Sequence, residues 1–542
     1  MYKKIQPITQ YRLITVTALF LALFTNVSFF KNVMDIYPPT LANLPFLFSL
    51  FAVNTTIIVL LLSLLSSKYT TKPLLIVFLI VSALTNYFMN AYHIVIDESM
   101  IRNSVQTDLN ESMDLLSFEL MGYLLFLGIL PSIAVYKFPV KFGSWRQEAI
   151  LKLKITGISL GVIVLLLLIF SKFYTSFFRE HKSLRYYANP TYPIYGTAKF
   201  ITLTLGHGKK ELKLLGRDAA IKPKSEKENA SKKMKLVIMV VGEAARADRF
   251  SLNGYGRETN PLLKQEDIIN FSNIHSCGTS TAVSVPCMFS IYNREEYTDS
   301  KGATTENVLD VLNHTGKIAI LWRDNNSDSK GVGERILCED FKNSTINTIC
   351  DIEPRDEGML IGLDKYIETN KDKDVLIVLH QMGNHGPAYY KRYPKSFEKF
   401  TPVCTTNQLE NCSQEEISNA YDNAILYTDY FLSKVINFLK PYSNTHETAM
   451  VYMSDHGESL GENGLYLHGL PYFMAPKTQT HIASLMWFGG EITKEIDLKK
   501  LKSYSDNEFS HNNLFHTLLG IFGVSSSVYE KEKDILAPAS IE

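Results

Sequence analysis

Glu243, His380 and the adjacent pair Asp455–His456 are side chains of the kind that hold metal ions, and each comes at or one residue past the end of an apolar run. Val237–Val241 leads into Gly242-Glu243. Val375–Leu379 leads into His380 and, soon after, Asn384-His385-Gly386-Pro387. Ala449–Met453 leads into Ser454-Asp455-His456-Gly457. Short continuous apolar runs read as buried parallel strands, and open α/β sheets place their ligands outside the carboxyl ends of such strands. One acid after one strand is usually a solvated helix cap. Three strands ending in Glu, His and Asp-His point to one shared metal site.

A nucleophile stands close by in sequence. Cys277-Gly-Thr-Ser-Thr281-Ala-Val-Ser-Val-Pro-Cys287 is a hydroxyl-rich turn leading into a predicted helix and bracketed by two cysteines. Taken alone, it reads equally well as a Ser/Thr-rich helix cap. A helix N-terminus offers free N–H groups to an anion such as phosphate, and metal coordination can activate a hydroxyl there. Glu, Asp and His with a threonine oxygen make a tetrahedral N/O set suited to zinc. His468, in Leu-Tyr-Leu-His-Gly, and His385 are further candidates. Asp324–Gly331 resembles the start of a calcium loop, but Ser329 stands where an EF-hand needs glycine and Arg335 where it needs glutamate. Lys330, before a glycine, suits contact with a phosphate instead.

These residues all lie in the second half of a chain whose first half is unlike it. Apolar stretches run over Leu13–Phe30, Phe46–Leu65, Pro73–Met89, Leu116–Val135 and Ile155–Phe170, each near the ~20 residues that cross a bilayer. Lysines and arginines mark the N-terminus and the loops after spans two and four, whereas the loop after span three is acidic, with Asp97, Glu98, Asp108, Glu111 and Asp114. Basic loops stay in the cytoplasm, so an odd number of spans exports the second half. The segment Tyr174–Leu205, rich in aromatic residues, Lys and Arg, reads either as a membrane-surface helix or as a plain loop, and Lys222–Lys235 as a solvated linker. The expected division is a five-helix membrane domain over 1–175, an interfacial and linker segment over 176–233, and a catalytic α/β domain over 234–542. Lys+Arg and Asp+Glu balance at 55 each, which gives no sign of a nucleic-acid partner.

All six cysteines lie in the second half, as three close pairs along the chain. They are either unrelated buried thiols or disulfides. Their absence from the membrane half and their close spacing favour disulfides in an oxidising compartment, in agreement with the charge argument.

Together, Gly242–Arg249, Cys277–Cys287, Trp322–Gly331, His380–Pro387 and Ser454–Glu458 resemble the signatures of the phosphoethanolamine transferases of Gram-negative bacteria, a group that includes lipid A modifying and mobile colistin-resistance enzymes. The resemblance covers essentially the whole chain. It implies a multi-pass α-helical membrane domain followed by an alkaline-phosphatase/sulfatase-like α/β domain in the periplasm, anchored in the inner membrane and acting as a monomer. It makes Thr281 the nucleophile and Glu243, Thr281, Asp455 and His456 the Zn2+ ligands. Lys330, Ser327, His385 and His468 are then residues that handle the phosphoryl group, the acceptor or a second zinc. Asn103, Thr107 and Glu111, at i, i+4 and i+8, match positions that meet the donor headgroup if Met100–Leu116 is helical. The implied disulfides are Cys277–Cys287, Cys338–Cys350 and Cys404–Cys412.

The implied reaction moves phosphoethanolamine from phosphatidylethanolamine to Thr281 and then to an acceptor, a lipid A phosphate first among them. The added amine offsets negative surface charge and weakens attraction for polymyxins and other cationic peptides. Rival readings are a phosphoglycerol transferase, a periplasmic sulfatase or phosphatase of the same fold, and a membrane-anchored binding protein that keeps the fold without chemistry.

Overall fold

The computed structural model describes residues 6–106, 113, 115–179, 181–206, 211–221 and 233–541. The chain forms two compact units. One comprises 1–101 and 116–202, the other 102–115 and 203–542.

Among the described residues of the first unit, four helices are long and apolar enough to cross a membrane: α3 (Leu44–Leu65), α4 (Thr71–Ala91), α6 (Phe118–Lys137) and α7 (Trp145–Ile169). A fifth crossing is made if α1 (Gln10–Phe24) and α2 (Val27–Ile36) count as one span, bent by 55°. The bend has a cause in the sequence. Thr25 Oγ1 and Asn26 Nδ2 both donate to the Leu21 carbonyl, at 2.8 and 3.0 Å. Side chains that bond backbone in this way compete with the helical ladder and break it. The first expected span, Leu13–Phe30, thus falls on this bent pair. The third span, expected over Pro73–Met89, runs to 21 residues. Between α4 and α6 lies α5 (Glu98–Gln106), which carries Asn103. The helix supposed over Met100–Leu116 is seen only as far as Gln106, and Thr107 and Glu111 lie outside the described residues. After α7, α8 (Ser171–Arg179) and α9 (Thr191–Gly206) continue the chain.

The second unit is built on one eight-stranded sheet. Its strands are β1 (Met234–Gly242), β2 (Ile268–His275), β3 (Ile318–Asp324), β4 (Leu337–Asp340), β5 (Asp374–His380), β6 (His446–Ser454), β7 (His481–Gly489) and β8 (Phe509–Ser510). Their order is β8-β2-β7-β6-β1-β5-β3-β4. The three apolar runs of the sequence are β1, β5 and β6, adjacent and mutually parallel, with β1 in the middle. From Leu236 to Gly242 every residue of β1 is buried, as a strand covered on both faces must be. The core includes Val237, Met239, Leu376, Val378, Val451 and Trp322.

The predicted linker is corrected in part. Leu215 is buried in that core, its N–H donates to Glu306 Oε2 at 2.8 Å, and Ala220–Ile221 pairs antiparallel with Val524–Ser525. The catalytic unit thus begins well before 234, because Leu215 and Ile221 carry apolar surface that the core covers. A second correction concerns the cysteines. Cys277–Cys287 and Cys404–Cys412 are bonded, but Cys338 and Cys350 are free thiols. Cys338 is fixed by the β4–β3 register and turns its thiol to the Gly333 carbonyl at 3.2 Å, while Cys350 sits in a turn bridged to Pro354.

Candidate active site

Strand register assembles the site. In the β1–β6 pairing, Gly242 lies opposite Ser454, and the Asp455 N–H continues the ladder to the Gly242 carbonyl at 2.9 Å. Glu243 and Asp455–His456 therefore leave neighbouring strands at the same level. Thr281 is the first residue of helix α10 (Thr281–Met288), which follows β2. Its Oγ1 donates to Glu243 Oε2 at 3.1 Å and lies 3.3 Å from His456 Nε2. All four side chains are buried.

The protonation pattern decides what this cluster can hold. His456 Nδ1 lies 2.8 Å from the Gly457 carbonyl. A carbonyl only accepts, so the proton sits on Nδ1 and Nε2 presents its lone pair. Burial pushes the imidazole down to about 4, which keeps it neutral. That lone pair faces Asp455 Oδ2 at 3.2 Å and Glu243 Oε1 at 3.4 Å. Asp455 Oδ2 is buried and accepts no hydrogen bond, while Oδ1 is held by the N–H groups of Ala244 and His456. Two carboxylates and a bare nitrogen converging in a buried space repel one another unless a cation lies between them. Glu243, Asp455 and His456 offer ligand atoms all within 4.8 Å of one another, and Thr281 Oγ1 completes an N/O set of the zinc type.

His468 is brought beside this cluster, its ring 4.3 Å from that of His456 and 5.5 Å from that of His385. His456, Glu458 and His468 form a second group able to hold a metal. His468 Nδ1 bonds Glu458 Oε2 at 3.0 Å, and Tyr389 OH donates to Oε1 of the same carboxylate. A carboxylate that bonds one ring nitrogen orients the other toward its target.

Lys330 and Ser327 stand one step away. Lys330 Nζ donates to the carbonyls of Ser327 and Gln106, at 2.7 and 3.2 Å. Ser327 Oγ bonds Asn326 Oδ1. Both Asn326 and Ser327 line a cavity of about 600 Å³. His380, the other strand-end histidine, is not brought to the metal cluster. It bonds Asp324 Oδ2 at 2.8 Å and packs edge-on against Trp322. Burial works against the charge on Asp324, but His380, the Trp322 indole and the Asn326 N–H hold its carboxyl below the usual range.

Three residues were not singled out by sequence. Asn326 donates to Glu243 Oε2 and to the Gln381 carbonyl, both at 2.8 Å, and so aims the ligand. Glu458 aims His468. Both stand inside motifs whose neighbours drew the attention. Arg246 is the third: buried, it bonds the Glu458 carbonyl at 3.1 Å and pairs with Asp248 and Glu462.

A family model described as phosphoethanolamine transferase EptA/EptB matches residues 54–205, and one described as sulfatase matches residues 235–524. The phosphatidylethanolamine transferase Mcr-2 of Escherichia coli is 43% identical, over 96% of both chains. The phosphoethanolamine transferase EptA of Escherichia coli (strain K12) is 39% identical, over 96% of this chain and 95% of its own. The integral membrane lipooligosaccharide phosphoethanolamine transferase A of Neisseria meningitidis superposes with a TM-score of 0.94 at 34% identity, covering 99% of this chain and all of its own. That likeness spans the membrane helices and the sulfatase-like sheet together. The chain belongs to the phosphoethanolamine transferase family.

Proposed function

We propose that the protein transfers phosphoethanolamine from phosphatidylethanolamine to a lipopolysaccharide acceptor, a lipid A phosphate, with Thr281 as the nucleophile and Glu243, Asp455, His456 and Thr281 as zinc ligands. The observation that carries this reading is the position of Thr281 Oγ1, 3.1 Å from Glu243 and 3.3 Å from His456, at the start of a helix. A zinc ion bound there lowers the pKa of the threonine hydroxyl and polarises a phosphoryl oxygen.

Thr281 Oγ bonds to phosphorus, the bond from phosphorus to the glyceryl oxygen breaks, and diacylglycerol leaves as the alcohol with the proton Thr281 gave up. The acceptor oxygen then bonds to the same phosphorus, the Thr281 ester breaks, and the hydroxyl is restored. His468, oriented by Glu458, is placed to move a proton for the acceptor or the leaving group. Free N–H groups at the start of α10 favour the anionic phosphoryl oxygens. Lys330, Ser327 and His385 serve the same phosphoryl group or the acceptor, and Asn103, Thr107 and Glu111 the ammonium of the donor. Residues 1–202 without 102–115 anchor the protein in the inner membrane, and the second unit works in the periplasm, where donor and acceptor lipids meet it. Adding a primary amine to the lipid A phosphate lowers the negative surface charge that attracts polymyxins.

Thr281→Ala in the full chain tests this reading. The variant is expected to fold and to form no phosphoethanolamine adduct on the peptide that carries position 281, and lipid A from cells expressing it is expected to lack the mass increment seen with the wild-type protein. An adduct on that peptide in the variant would falsify the assignment.

A further inference from the structure

His511 lies outside every motif described above, yet it joins the nucleophile turn to the metal-ligand loop. It is 1% exposed. Its Nδ1 accepts the Cys277 N–H at 3.0 Å, and its Nε2 lies 2.9 Å from the Ser454 carbonyl. Cys277 opens the turn that ends in Thr281. Ser454 immediately precedes Asp455. The imidazole thus spans the two segments whose spacing sets the distance from Thr281 to its partners.

The bonds fix the tautomer. An N–H reaches Nδ1, so that nitrogen is bare, and a carbonyl faces Nε2, so that nitrogen carries the proton. Both ring atoms are used, one as acceptor and one as donor, and no other neutral side chain offers the two functions at opposite ends of a rigid ring. Ser284, one turn along α10 from Thr281, closes the arrangement. Its Oγ donates to the Asp455 carbonyl, accepts the Gly278 N–H at 3.3 Å, and lies 3.4 Å from His511 Nδ1.

Strand register delivers the histidine. The short edge strand β8 pairs parallel with β2, Phe509 opposite Ile274 and Ser510 opposite His275. The residues that follow, His511 on one strand and Ser276-Cys277 on the other, leave the sheet side by side. Ser510 Oγ then accepts the Asn512 N–H and Asn513 Oδ1 the Ser510 N–H, so the turn after His511 is itself capped.

We infer that His511 is a positioning residue for the transfer reaction: by bonding Cys277 and Ser454 at once, it holds the Thr281 turn at attacking distance from the Asp455–His456 loop. The inference rests on the reading of Thr281 as nucleophile. It acts on rate and on metal affinity, because the same ring steadies the nucleophile and the segment that carries two metal ligands.

The test uses the full chain in detergent micelles containing phosphatidylethanolamine. Three quantities are measured for wild type, His511→Asn and His511→Ala: the rate of adduct formation on the Thr281 peptide, the zinc dissociation constant by chelator competition, and the melting temperature. His511→Asn keeps an acceptor near the Cys277 N–H and loses the donor to Ser454, so it preserves folding if His511→Ala does not. At full zinc occupancy, both variants are expected to form the adduct about 10–100-fold more slowly at saturating donor, with half-saturation changed less than about threefold and zinc affinity weakened about tenfold. A role confined to folding would lower the melting temperature and leave the rate per zinc-loaded molecule and the zinc affinity unchanged; that result overturns the inference while leaving Thr281 in place. A wild-type chain that forms no adduct at Thr281 overturns both.

Discussion

Asp455 shows how tightly one residue can be assigned a single job. One carboxylate oxygen is occupied by two backbone N–H groups, and the other is buried with no hydrogen-bond donor. A side chain in that state is oriented for a cation rather than for the fold. Zinc that binds only the folded chain stabilises it by about 2.7 kcal/mol at a concentration 100 times Kd. Asp455→Asn keeps the shape and removes one negative charge from the ligand set. Scanning calorimetry with and without zinc is expected to show a metal-dependent rise in melting temperature for the wild type and little or none for Asp455→Asn. An equal rise in both would remove Asp455 from the ligands. The donor side is tested at the same scale. Asn103 lies on α5, and Glu111→Ala combined with Asn103→Ala is expected to lose transfer from an intact lipid donor; full activity at matched expression would leave this loop no part in donor binding.

At the scale of elements, the site depends on β1, β5 and β6 keeping their common level. Leu376 in β5 lies opposite Val237 in β1 and Ile320 in β3, fully buried. Leu376→Ala removes packing on the strand that leads into His380 and is expected to cost about 2–5 kcal/mol, depending on how far the cavity collapses. Chemical denaturation of the purified protein measures this; a change under about 1 kcal/mol would show that the sheet repacks there at little cost. The Cys277–Cys287 bond acts on the facing element. It closes the turn and first helical turns around Thr281, so the segment that carries Thr281 is held by a crosslink between Cys277 and Cys287 and by the bond from the Cys277 N–H to His511.

For the whole molecule, the boundary between the units decides what can be cut. A catalytic fragment starting at 234 loses Leu215, its bond to Glu306 and the two-stranded ribbon of Ala220–Ile221 with Val524–Ser525. Exposing the pocket of one buried leucine costs about 1.5–3 kcal/mol, before the lost strand pairing is counted. A fragment over 211–542 is therefore expected to melt at a higher temperature than one over 234–542. Equal melting temperatures would show that the segment only lies against the core. Residues 102–115 cluster with the second unit although they lie between membrane helices in sequence, so neither fragment carries the whole of that unit.

The sequence by itself determined the membrane spans, the three parallel strands and the residues at their ends. Those features are local: an apolar run long enough to cross a bilayer, a run short enough to be a buried strand, and a carboxylate or imidazole directly after it. Motif resemblance then assigned expected roles to Glu243, Thr281, Asp455 and His456; the tertiary structure brings ligand atoms of Glu243, Asp455 and His456 within 4.8 Å of one another and sets Thr281 Oγ1 3.1 Å from Glu243 and 3.3 Å from His456. What only the tertiary structure decided depends on partners distant in the chain. His380 ends its apolar run as Glu243 and Asp455 follow theirs, yet it is still within β5, level with Val241 of β1, and it faces Asp324 on the neighbouring strand because the β3–β5 register sets Asp324 opposite it. Cys338 and Cys350 are spaced like the bonded pairs, but strand pairing turns one thiol toward Gly333. Leu215 reads as part of a linker until Glu306 and the core around it are in view. His511 lies outside the signature motifs and Asn326 inside one, but neither role is legible in sequence, since each acts through a backbone group or carboxylate that folding brings within 3 Å of it.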